Sequence, residues 1–378
     1  MSPISVREDM RRTGFSARLR SIPVMFLLSI VVLACVGFAA LYSAAGGNWD
    51  PWARQQAMRF TVGFFGLLFV ATMDLKWIYR IAYPFWFFCI ALLVTVELAG
   101  VIGMGAQRWL SLGGLNLQPS DLTKVAVVLA LAKYYHTLQG NEVKKLKSLV
   151  VPAVIAIVPV ALIILQPDLG TALMILMIAT VMVFIGGAPW WLFAGGGAIF
   201  AAVIPTAYHF LHDYQKKRVL TFLSPESDPL GAGYHITQSK IAIGSGGLSG
   251  KGYLEGSQAH LNFLPEKHTD FIFTLIAEEW GFIGGMALLT LFSFIIYQGY
   301  RISLRSRNPF GRLLALGLIT NYAIYIIINI GMVAGLMPVV GEPLPMISYG
   351  GTVMISTLFA FGLVLCVAVN RNQTLPKG

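Results

Sequence analysis

A polytopic, all-helical membrane fold is predicted by three observations. The 378 residues are 56% hydrophobic and only 12% charged, with mean hydropathy +0.72. A soluble domain averages about 45–50% apolar and about 25% charged. The apolar residues also come in unbroken blocks of membrane-crossing length. Lipid admits only helices or closed barrels, and barrel strands alternate polar with apolar residues. These blocks do not alternate. Finally, the cations gather in alternate connecting segments, as orientation by positive charge requires.

With about 17–25 apolar residues per span, the blocks predict about ten transmembrane helices: 22–44, 57–73, 77–98, 119–138, 149–166, 169–187, 189–210, 270–298, 312–336 and 349–369. The chain reads as one domain, 1–378, with tails at 1–21 and 370–378 and a large outer loop, 211–269, between spans 7 and 8. Span 1 follows Arg7, Arg11, Arg12, Arg18 and Arg20. It is longer than the roughly 7–15 residues of a signal-peptide core and reads as a retained span. Lys76, Lys145, Lys147, Arg301, Arg305, Arg307 and Arg371 fall in the same set of segments as the N-terminal arginines. Both termini are therefore placed in the cytoplasm and the large loop outside, where long loops cross regardless of charge. The net charge of +10 points to membrane lipid rather than nucleic acid. Cys35, Cys89 and Cys366 lie inside apolar blocks, without metal or redox spacing, and read as packing residues.

Five polar stretches stand out against this background. In Gln118-Pro-Ser-Asp-Leu-Thr-Lys124, Pro119, Ser120 and Asp121 have the residue types of a helix start. Lys124 sits a turn further into the span, where an ammonium costs roughly 2.5–3.5 kcal/mol. It either snorkels to the interface or serves an anionic substrate group. Arg108 beside Trp109 is an interface anchor or a phosphate contact. In Gln166-Pro-Asp-Leu-Gly-Thr171, Asp168 reads as a cap on a tight turn. The run from Gly244 to Gly252 lacks the Walker A pattern, with Ser245 and Gly252 at required positions. It reads as a flexible loop facing substrate.

The fourth stretch, Pro265-Glu-Lys-His-Thr-Asp270, places Glu266, His268 and Asp270 where the polar loop enters span 8. Ionisable groups at such a boundary are functional candidates, although Asp270 also suits a plain helix cap. Burial there would raise its pKa and make it a better base near neutral pH. Glu278 and Glu279, inside the span, are read as supporting residues. One histidine with scattered carboxylates does not make a metal site, so no metal ligand is assigned. The fifth stretch, Met337 to Gly351, has three prolines and three glycines beyond its first residue. It predicts a rigid re-entrant turn lining a cavity, with Glu342 and Ser348 pointing into it.

Taken in order, the Gln118, Gln166 and His268 motifs and Pro343-Leu-Pro-Met-Ile-Ser-Tyr-Gly-Gly351 resemble the SEDS family (shape, elongation, division and sporulation; RodA, FtsW and SpoVE). The resemblance covers the chain from span 1 onward. The segments 105–109, 231–240 and 243–252 favour the RodA branch. Asp121 stands where the family commonly has Glu, and Met346 where it has Phe. The resemblance implies a peptidoglycan glycosyltransferase that polymerises lipid II at the periplasmic face of the bacterial inner membrane. From the residues themselves, Arg108, Lys124, Lys240, Glu266, His268, Glu342 and Ser348 are read toward substrate and Asp121, Asp168, Glu278 and Glu279 in support; the resemblance implies Asp270 as the catalytic residue. It further implies a class B penicillin-binding protein of the elongation type, other elongation-complex proteins, and a divalent cation (Mg or Mn) without an organic cofactor. The alternatives are a lipid II flippase, a division paralogue of the FtsW kind and a non-catalytic scaffold.

Overall fold

The computed structural model describes residues 14–103, 106–112, 115–138, 142–143, 145–198, 231–260 and 266–376, with isolated residues at 202, 216, 220–221 and 224. After a short helix α1 (Phe15–Arg20), the apolar blocks fold as α2 (Val24–Ala44), α3 (Trp52–Thr72), α4 (Leu75–Ala99), α5 (Pro119–Thr137), α6 (Val150–Leu165) and α7 (Leu169–Ile185). In the second half come α8 (Ala232–Ser245), α9 (Ser257–His260), α10 (Ile272–Arg305), α11 (Pro309–Val333) and α12 (Gly351–Val369). Among the described residues, six helices are long and apolar enough to cross a membrane, α6 being counted with the 3₁₀ turn before it. The shorter α7 and the more polar α3 and α5 occupy three further predicted spans. Of the seventh predicted span, 190–198 is helical and much of the remainder lies outside the described residues.

Two expectations are corrected, and one connection takes a form that the sequence reading did not address. Helix α3 begins at Trp52, five residues before the predicted span, because Arg54, Gln55 and Gln56 prolong the helix without being apolar. The connection before α5 is not irregular. Strands β1 (Val101–Gly103), β2 (Ala106–Leu112) and β3 (Leu115–Leu117) form an antiparallel meander, pairing backbone groups that no helix satisfies. The large loop carries α8, and its glycine-rich run is packed rather than free.

That packing explains the shape of α10. At Gly281 (φ 66, ψ −163) the helix breaks. The bonds from residue 282 to 278 and from 283 to 279 are opened, and the glycine run enters the gap. Lys251 N donates to Glu278 O at 3.0 Å and Gly252 N to Glu279 O at 3.1 Å. Phe282 N donates to Gly247 O at 2.9 Å and Ile283 N to Leu248 O at 3.1 Å. All four freed backbone groups are satisfied by the loop, as burial demands. The close approach needs glycine: a Cβ on Gly250 (φ +82) would stand 2.0 Å from Glu279 O.

Burial sorts the helices. In α11 and α12, 72% and 78% of the most apolar window is inside the protein, against 28% in α4 and α10. The first pair forms the centre, with α5, which is buried along most of its length. The second pair faces outward with Phe87, Phe88, Leu98 and Phe294 exposed, as lipid contact allows. An edge-on aromatic ladder joins four helices: Phe26–Phe361 at 5.4 Å, Phe361–Tyr322 at 4.9 Å and Tyr322–Phe292 at 6.1 Å.

Candidate active site

The central helices carry a buried charge cluster. Proline at the first position starts α5 without an unsatisfied N–H, so the next turn is free to point polar groups inward. Lys124, with no exposed side-chain surface, lies 3.1 Å from Asp121 and 3.5 Å from Glu342. It also donates to Tyr325 on α11, whose hydroxyl in turn donates to Asp121 at 2.9 Å. The sequence-level choice for Lys124 is thereby resolved against snorkelling. Nor does Asp121 cap its helix: Gln118 is the capping residue, and Asp121 accepts from across the bundle.

Thr171, in the first turn of α7, donates from one hydroxyl to Glu342 at 2.8 Å and Asp168 at 2.9 Å. Asp168 does cap α7, as its position in the sequence implied, by accepting from Thr171 N. Arg108 on β2 lies 3.8 Å from Asp168 and donates to the carbonyls of Gln166 and Pro167. Its guanidinium clamps the turn before α7. Glu342 sits in the connection between α11 and α12. Burial pushes its carboxyl up to about 7, against the pull of Lys124.

Asp270 stands beside this cluster. Asn329 on α11 donates to the carbonyls of both Asp270 (2.9 Å) and Glu342 (2.8 Å). The Asp270 carboxylate is 3.5 Å from the point a Cβ on Gly341 would occupy. Asp270 is not the cap of α10; that position belongs to Phe271, which makes no capping side-chain bond. The segment before it is stitched to the re-entrant turn. Tyr349 N donates to His268 O at 2.8 Å, and Ser348 Oγ donates to Thr269 O at 2.6 Å while accepting from Leu344 N.

Ser348 therefore holds two backbones together and does not point into a cavity. Glu266 binds its own turn, accepting from Thr269 Oγ1 at 2.8 Å. The His268 ring stacks on Trp52 at 4.2 Å, 8° from parallel. Burial lowers its pKa, with Glu266 opposing and Lys267 adding to the shift. Lys240 is exposed on α8, its stem close over Gly335; no contact joins it to the Lys124 cluster. Glu278 and Glu279 are buried in α10 and bind neighbouring segments. Glu278 accepts from Lys251 (2.7 Å), Ser257 (3.3 Å) and Gln258 N (2.9 Å), and Glu279 accepts from Ser43.

Several participants escape a reading of the sequence by motif. Asn321, Tyr325 and Asn329 recur every four residues along α11, a polar stripe in an apolar span; that spacing was the available signal. Arg59 in α3 lies over the Tyr349 ring at 4.9 Å, and its buried Nη1 has no hydrogen-bond partner among the described residues. An arginine inside a span was its signal. Three or more metal-ligating side chains converge nowhere among the described residues. The carboxylates of the cluster surround an ammonium instead. Among the described residues, the side chains alone do not form a cation cage.

The FtsW/RodA/SpoVE family model, described as cell cycle protein, matches residues 18–373. The chain is 42% identical over 355 residues to the peptidoglycan glycosyltransferase MrdB of Escherichia coli (strain K12), covering 93% of this chain and 94% of that protein. It is similar, with TM-score 0.83 and 32% identity, to a solved chain from a peptidoglycan synthase complex that coordinates polymerization and crosslinking; the match covers 93% of this chain and 99% of that one. The crystal structure of the rod shape determining protein RodA of Thermus thermophilus matches with TM-score 0.71 and 28% identity, over 93% and 98% of the two chains.

Proposed function

This chain belongs to the FtsW/RodA/SpoVE family, and on that premise we propose that it polymerises lipid II through Asp270. It is a multi-pass membrane protein and a peptidoglycan glycosyltransferase of the cell-elongation kind. The observation that carries the residue assignment is that Asn329 holds the backbone carbonyls of both Asp270 and Glu342, so that Asp270 stands beside the buried Lys124–Glu342 ion pair.

In this reading Asp270 takes the proton from the 4-hydroxyl of the acceptor GlcNAc. The freed oxygen attacks C1 of the donor MurNAc. The C1–O bond to the pyrophosphate breaks with inversion, and a β-1,4 link forms. Undecaprenyl pyrophosphate leaves with the bonding electrons. The electrostatics of the leaving group need preorganised cations. Arg59, with an unused N–H donor, and the partly exposed Arg108 suit that task. Lys240 reaches substrate only if substrate extends over α8. Lys124 is already saturated and positions Glu342 and Asp121. A divalent cation would depend on substrate phosphate oxygens for part of its coordination, as Mg²⁺ commonly does.

The site lies at the periplasmic side of the inner membrane in this reading, opposite the basic segments. Likeness to the synthase-complex chain supports a class B penicillin-binding protein as partner; other elongation proteins join the proposal on the family resemblance alone. The experiment is glycan-strand synthesis from lipid II by the purified protein with that partner. Asp270→Asn should lower the rate by about 10²–10⁴-fold with the melting temperature unchanged. Wild-type polymerisation by that variant would remove Asp270 as the base.

A further inference from the structure

The opposite end of the helices holds a cavity of about 910 Å³. Four segments read as cytoplasmic converge on it: α1, the α3–α4 turn, the end of α10 and the chain after α12. Among the described residues, Arg18, Arg20, Lys76, Arg305 and Arg371 line it, against the one carboxylate of Asp74. That carboxylate is already engaged. It accepts from Lys76 N and Gln373 Nε2, both at 2.8 Å, and lies 3.9 Å from Arg18. Arg18 itself donates to Thr72 O at 2.9 Å.

Among the described residues, the charged groups of Arg20, Lys76, Arg305 and Arg371 make no hydrogen bond or ion pair. Their residues are exposed. The walls are nonetheless fixed. Asn370 Nδ2 donates to Met73 O at 2.9 Å, and Arg307 N to Arg371 O at 3.0 Å. Four like charges held around one hollow repel, and an anion would relieve that repulsion. Guanidinium groups match phosphate oxygens in fork geometry.

The bilayer side of the cavity names the kind of anion. Pro23, Ile302, Ala368 and Val369 supply apolar lining beside the polar residues that follow α12. Just beyond, Val24, Met25 and Leu28 on α2 and Leu304 on α10 are exposed apolar residues. A polar head would sit among cations at the ends of the spans while acyl chains run along apolar helix faces. Basic pockets between membrane helices on this side suit anionic lipid headgroups.

We propose that this cavity binds a phosphate-bearing anionic lipid headgroup, of the phosphatidylglycerol or cardiolipin type, remote from the glycosyltransfer site. The test uses the full-length protein in mixed micelles holding equal amounts of phosphatidylglycerol, cardiolipin and phosphatidylcholine, with retained lipid read by native mass spectrometry. Wild type should retain the anionic lipids over phosphatidylcholine. The variant R20Q/R305Q/R371Q should lose that preference by roughly tenfold or more, while polymerising activity in detergent persists. Should the triple variant fail to fold, K76Q and R371Q singly should each weaken retention several-fold. Equal retention of all three lipids by wild type, or unchanged preference in folded variants, overturns the proposal. Displacement of the lipid by millimolar inorganic phosphate, with phosphate binding directly to wild type, would also overturn it in favour of a soluble anion.

Discussion

Replacing Lys124 with methionine removes one charge from the centre of the protein at nearly constant volume. The ammonium has no exposed surface and faces Asp121 at 3.1 Å and Glu342 at 3.5 Å. Without it, two carboxylates remain in a medium that solvates neither. Breaking a buried pair in this way costs about 3–5 kcal/mol. By the scaling with chain length, the melting temperature should fall by about 4–6 °C. The assay is thermal unfolding of the purified protein in detergent at pH 8. Adding Glu342→Gln to Lys124→Met should restore part of the loss, since one stranded charge disappears. The double-mutant cycle should show about 1–3 kcal/mol of coupling. The deficit should also shrink near pH 6, where Glu342, already raised to about 7 with Lys124 present, takes up a proton. A Lys124→Met protein that melts with wild type at pH 8 would show that the cluster is not desolvated and would refute this reasoning.

Two further outcomes follow from the same geometry. Gly250→Ala should destabilise by on the order of 2–3 kcal/mol and depress polymerisation, because a Cβ there meets Glu279 O at 2.0 Å and forces the loop out of the α10 break; hydrogen exchange should rise at residues 278–283. The folded-state pKa of Glu342, about 7, exceeds the usual 4.5, so the folded protein binds the extra proton between those values and stability falls as pH rises through them. His268, whose pKa is lowered mainly by burial, contributes the opposite slope below about 6.5, so the measurement is the difference in melting temperature between wild type and Glu342→Gln from pH 5 to 8, which should widen on the acid side.

Hydropathy and charge alone fixed the membrane class and the approximate positions of the helices, because a span must be apolar over a set length whatever it packs against. Motif order was enough to identify the family and to single out Asp270. Chemistry at individual positions was less legible. Lys124 and Asp121 share one turn, yet whether that turn meets lipid, water or protein depends on α11, two hundred residues away. Ser348 and Glu266 have the residue types of substrate contacts, but Glu266 is taken up by its own turn and Ser348 by the Thr269 carbonyl brought to it by the fold. The glycine run read as flexible because glycine suits both mobile loops and close packing. Only the break at Gly281, with four backbone groups in need of partners, decided between them. The sequence by itself determined which segments leave water. The tertiary structure alone decided which polar groups meet once inside, because in a low-dielectric interior each of them must find a partner and that partner is supplied from elsewhere in the chain.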